Sequence, residues 1–181
     1  MRLLRVLGAF SLILASACLI SGVYGALHDQ ITYTISPEYF TEFKFKQFGL
    51  VGSSLSNRLK CAVIGFLASW WVGLLIGSAV GIGTWRWKPF RSQMREAHLA
   101  FVLIFGITLT IGFGGFIYGC FIASHDRGAY PHWYFPESVL DEKAYLIVGH
   151  IHNAAYLGGA LATVLCCFWL WLRHRRWQRS R

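Results

Sequence analysis

Three short stretches of this chain hold side chains able to bind a metal or pass a proton: "LHDQ" with His28 and Asp29, "SHDRG" with His125 and Asp126, and "GHIHN" with His150 and His152. Imidazole nitrogens with carboxylate oxygens form the donor set of zinc, copper and non-haem iron. Two histidines on different helices can instead clasp a haem. Each stretch adjoins a long apolar run. At a rise of ~1.5 Å per helical residue, His28 lies ~34 Å beyond Arg5 and His150 ~33 Å before Leu172. Both therefore fall in one layer near one edge of a bilayer's hydrocarbon core, with His152 slightly deeper and His125, Asp126 and His132 at or just above that level. The expected ligand set is His28, His125 and His150, supported by Asp29, Asp126 and His152. Residues two apart on a helix point ~200° apart, so His150 and His152 do not share an ion easily. His150 lies on a face of small residues and is expected to point inward; His152 is expected to meet Tyr156.

Three roles stay open for this layer: a structural polar network, a metal or haem site, and a site for another ligand or for sensing protons. The structural role has its own logic, since histidine suits a helix C-terminus and aspartate bonds locally in turns. No H-E-x-x-H run or G-x-S-x-G elbow is present. The cysteines, Cys18, Cys61, Cys120, Cys166 and Cys167, lie in apolar runs without C-x-x-C spacing and read as small buried side chains. No enzymatic activity is written in these patterns.

The elements that must carry these residues are membrane helices. Of 181 residues, 55% are hydrophobic and 14% charged, far more apolar than a soluble domain. Four runs lack Asp, Glu, Lys and Arg, and each exceeds the ~20 residues that a spanning helix needs. The expected spans are 6–27, 61–85, 97–124 and 144–172, with outer loops 28–60 and 125–143, an inner turn 86–96 and a basic inner tail 173–181. The spans keep no ionised side chain at mid-depth, which counts against an ion-coupled pump. The first run has a basic start like a signal peptide, but it is longer than a cleaved apolar region, so a retained helix is expected.

Charge orients the bundle. Most of the basic residues, including Arg86, Lys88, Arg91, Arg95 and the arginines of "RHRRWQRSR", flank the N-terminus, the middle turn and the tail, and Glu96 is the only acid on that side. The positive-inside rule puts both termini in the cytoplasm. A net charge of +9 at helix ends is accounted for by anionic headgroups, so the bilayer, not nucleic acid, is the expected partner. His98 and His174 read as interfacial.

The expected fold is an all-α membrane protein, four transmembrane helices in a compact bundle arranged as two parallel helical hairpins. Ser69, Gly73, Gly77 and Gly81 form one small-residue ridge, and His150, Ala154, Gly158, Ala162 and Cys166 another, allowing close helix contact. Such ridges also suit a homo-oligomer or a larger membrane complex. A noncatalytic role through packing is therefore the first functional expectation, and a metal or haem site at the outer face the second. In the first outer loop "ITYTIS" alternates like a short strand. "SPEYF" offers Ser36 as a cap, Pro37 at the first helical position and Glu38 in the first turn of a short helix. Its aromatics would lie along the membrane surface, with the second outer loop over or beside them.

"YTISPEYFTEFKFKQFGL", followed by "ASWWVGLLIG", resembles a family of small uncharacterised bacterial integral membrane proteins with a Ser-Pro-Glu-Tyr-Phe-Thr-like segment before a tryptophan-containing second span. The similarity is clearest over Ile31 to Gly77. It implies a bacterial inner-membrane location and a multi-span fold, and assigns no activity.

Overall fold

The computed structural model describes residues 2–85 and 90–179, so Arg86, Trp87 and Lys88 of the expected inner turn lie outside the described residues. Four long helices dominate: α1 (Arg2–Ile35), α3 (Asn57–Thr84), α4 (Phe90–Phe121) and α5 (Glu142–Arg179). All four are long and apolar enough to cross a membrane, and Leu, Phe, Trp and Val side chains cover their outer surface. The chain is an all-α multi-pass membrane protein, a four-helix bundle.

The helices run beyond the apolar runs at most ends. α1 continues through His28 and Asp29 to Ile35, and the strand expected in "ITYTIS" is helix. The Thr32 hydroxyl donates to the His28 carbonyl at 3.2 Å and the Thr34 hydroxyl to the Gln30 carbonyl at 2.9 Å, so both β-branched residues back-bond to their own helix. Burial agrees with the helix: Thr32 is 1% exposed and Ile31 65%, the reverse of an apolar strand face. A six-residue alternation is too short to override an established helix.

Glycines bring α1 and α3 into backbone contact. A Cβ on Gly25 would collide with the Gly65 carbonyl oxygen, and one on Gly65 with that of Gly25. Gly73 packs on Ala17 and Cys18, and Gly77 on Leu14 and Ala17. The second hairpin repeats the device, with Gly115 against Ala154, Gly119 against Ile147 and Gly158 against Ile111. At the end carrying the termini, Ile13, Val80, Ala97, Ala100, Ile104, Ala162, Cys166 and Leu170 from all four helices form one apolar cluster. At the opposite end Tyr39, Phe40, Phe45, Cys61, Ile64, Val139, Tyr145 and Val148 form a second, aromatic one.

The first loop builds that aromatic roof. Ser36 accepts the Tyr39 N–H at 3.3 Å, as its capping position predicts. A wide π-helical stretch, Tyr39–Lys44, then leads into α2 (Phe45–Gln47) and turns Tyr39, Phe40 and Phe45 inward. The second loop closes over the first. Glu38 Oε2 accepts the N–H groups of Leu140 and Asp141 at 3.1 and 2.9 Å, and the Ser138 hydroxyl donates to Glu42 at 2.6 Å. Asp141 caps α5 by accepting the Ala144 N–H at 2.9 Å.

Candidate functional site

His28 and Asp29 sit inside α1, about two turns before its end, and His152 approaches them from α5. Ligand atoms of the three lie within 4.8 Å of one another. Asp29 Oδ1 is 3.3 Å from His28 Nδ1 and 3.3 Å from His152 Nε2. That separation exceeds a good N–H···O hydrogen bond and matches the edge of a zinc tetrahedron, ~3.3 Å for bonds of ~2.0–2.1 Å.

Tautomer logic sharpens the geometry. His152 Nδ1 lies 2.9 Å from the Val148 carbonyl oxygen, which can only accept, so Nδ1 carries the hydrogen. In a neutral ring Nε2 is then a lone pair, and it faces a carboxylate oxygen that is also an acceptor. Either a proton on Nε2 or a cation between the two atoms would relieve that contact. Nδ1–H bonded to a backbone carbonyl with Nε2 free is also the arrangement that orients a metal-ligating histidine. His28 Nε2 is buried with no hydrogen-bond partner among the described residues.

Rings fix both histidines. His152 stacks on Tyr39 at 5.0 Å and 22°, and meets His28 edge to face at 4.8 Å and 88°. Tyr24 lies 5.6 Å from His28. Lys44 lines the same space; burial lowers its pKa, while the Asp29 carboxylate acts in the opposite direction. Below the cluster a cavity of about 100 Å³, open at its side, runs between the two hairpins. Above it a second hollow, lined by Tyr39, Phe43, Lys44, Trp133, Tyr134 and Tyr145 among others, reaches His152 from the loop side.

The other expected ligands lie apart from this cluster. His125 Nε2 donates to the Gly119 carbonyl at 2.8 Å, satisfying an orphan acceptor at the end of α4. Asp126 accepts the Gly128 N–H at 2.8 Å in the turn that follows. His150 donates from Nε2 to the Tyr130 hydroxyl at 3.1 Å and is surrounded by the rings of Tyr118, Tyr130 and Trp133. The facing of α5 is thus reversed from expectation: His152 joins His28, and His150 packs toward α4. The small-residue ridge marks where two helices touch, which leaves no room for a ligand, and the cavity opens on the neighbouring face of His152, Ala155, Tyr156 and Gly159.

Sequence reasoning passes over one polar residue at the opposite end. Glu96 lies within α4, 1% exposed, and pairs with Arg173 of α5 and with Arg95 at 3.0 Å. Its signal is present in the sequence: it is the lone acid on the basic side of the chain.

No family model, curated protein or solved structure matches the chain.

Proposed function

We propose that this membrane protein binds one divalent first-row metal ion, zinc(II) or iron(II), through His28, Asp29 and His152. The observation that carries the reading is the pair of 3.3 Å separations around Asp29 Oδ1, with His152 Nδ1 tied to a backbone carbonyl. Two imidazoles and one carboxylate are the donors of catalytic zinc sites and of the non-haem iron facial triad, and both leave a coordination position open. Haem is disfavoured by the edge-to-face contact of the two rings, which leaves no space for a macrocycle between them.

The same proposal places the protein in a bacterial inner membrane, as the resemblance over Ile31 to Gly77 implies. The basic helix ends support cytoplasmic termini, which puts the metal toward the outer face. A purely packing role draws less support, because the small-residue ridges are used inside the chain. For self-association the sequence leaves the α4 face of Gly106 and Gly114, whose positions meet nothing within 4 Å.

The test is metal analysis of the purified full-length protein after zinc or anaerobic iron(II) loading, with cobalt(II) as a spectroscopic substitute. One ion per chain is expected. His28→Ala, Asp29→Asn and His152→Ala should each weaken binding by about 10–100-fold or more, while His125→Ala and His150→Ala retain it. A second reading rests on the same atoms, with a proton making an imidazolium–carboxylate pair of His152 and Asp29. Absence of stoichiometric metal would favour that pair and overturn the metal site.

A further inference from the structure

The cavity beneath the cluster has a polar head and an apolar shaft. Its α1 wall runs from Asp29 to Ala17 and its α3 wall from Ile64 to Ile76, each ~18 Å long at a rise of ~1.5 Å per residue. That is about the depth of one leaflet, half of a ~30 Å hydrocarbon core. The shaft ends below at the four-helix apolar cluster, and at its head it meets the second hollow, with which it shares Lys44, His152 and Tyr156. Ile20, Phe105 and Tyr156 line it while staying 41%, 43% and 48% exposed, so it reaches the lipid-facing surface between the hairpins. Its head is lined by Lys44, Tyr24, Tyr156 and His28, whose Nε2 has no partner among the described residues; the Lys44 ammonium donates to Gln47 Oε1 at 3.0 Å and would turn from it to meet a ligand.

We propose that this shaft holds a single-chain fatty carboxylate taken from the surrounding bilayer, its head at Lys44 and His28 and its chain extending toward Ile76 and Ile104. The proposal deepens the metal reading, since the open coordination position would face the same head. A divalent ion with Asp29 and Lys44 leaves net positive charge there, which selects an anionic oxygen head over a neutral one. If His28 ligates through Nδ1, its Nε2–H becomes a donor in need of an acceptor. Apolar walls with few polar groups fixing one end are the usual composition of a small-molecule site.

The experiment uses the full-length protein in nanodiscs, metal-loaded and metal-free, with a spin-labelled stearate as probe and oleate, oleyl alcohol and a long-chain quinone as competitors. Oleate should displace the probe at least ~10-fold more effectively than the alcohol or the quinone. Lys44→Gln should erase most of that preference, and Ala68→Trp, which fills the shaft, should abolish probe binding while metal stoichiometry stays intact and reports the fold. Equal displacement by oleate and oleyl alcohol, tighter binding of the quinone, or full probe binding in a metal-competent Ala68→Trp protein would overturn the proposal. If Ala68→Trp does not fold, the Lys44→Gln comparison decides alone. Failure of the metal reading shows separately, as a chain that takes up oleate but never metal.

Discussion

Glu42 shows how a single surface carboxylate ties the two loops that roof the site. The Ser138 hydroxyl, first, and the Lys46 ammonium, second, hold its pKa below the usual carboxylate value. A group whose pKa is lower folded than unfolded stabilises the structure above its unfolded value, and the contribution is lost as pH falls through the folded one. The latch between residues 38–42 and 136–141 should therefore hold at neutral pH and loosen below about pH 4, the ordinary glutamate range. Amide hydrogen exchange over those segments would show it, with Glu42→Gln reducing the pH dependence and leaving the Glu38 contacts as the remaining acid-sensitive part. An exchange profile unchanged from neutral to acid in the wild-type chain would contradict it. Single residues are only partly legible in the sequence. His28 and Asp29 stand out because polar groups beside an apolar run are costly. His152 reads as a supporting residue and not as a ligand because the ridge through His150 looks like the inward face. Inward has two meanings in a bundle, touching a partner helix or lining a gap, and small residues signal only the first.

Paired helices, rather than single spans, are the structural elements here. The Gly25–Gly65 contact and the Gly73 and Gly77 seats join α1 to α3 closely enough that any side chain must push the backbones apart. Gly65→Leu should destabilise the hairpin by about 1–3 kcal/mol, the usual cost of overpacking, whereas Gly106→Leu, at a site with nothing within 4 Å, should cost little. Thermal unfolding in one detergent would compare them, and equal melting temperatures would show that the glycine contact does not hold the pair. Four-residue spacing makes these ridges readable in the sequence, because it repeats over several turns. Ends of elements are harder to read. Hydropathy reports where lipid stops, while the helix of α1 continues to Ile35 because Thr32 and Thr34 bond to their own backbone and Arg58 of α3 donates to the Gln30 carbonyl at 2.8 Å. His28 and Asp29, the proposed metal ligands of α1, lie in that extension, which is why they are on a rigid helix and not in a turn.

Among the described residues, the tightest glycine contacts lie within each hairpin, and the cavity under the cluster lies between the hairpins. The floor cluster, with Ile13, Val80, Ala97, Ala100, Ile104, Ala162, Cys166 and Leu170, and the aromatic roof therefore set the width of the shaft. Ala162 is fully buried in the floor and lies ~15 Å along α5 from His152 by helical rise. Ala162→Phe should wedge the hairpins apart at the bottom, costing about 1–3 kcal/mol of stability, and should weaken chain binding while sparing metal affinity. The three readouts separate the alternatives. If stability and both affinities fall together, the bundle behaves as one cooperative unit and the shaft is not an independent compartment. If only stability and probe binding fall, the roof keeps the ligand triad in place without the floor. That second outcome is expected, because His28 and Asp29 share one rigid helix and His152 is held by Val148 and Tyr39, all at the roofed end.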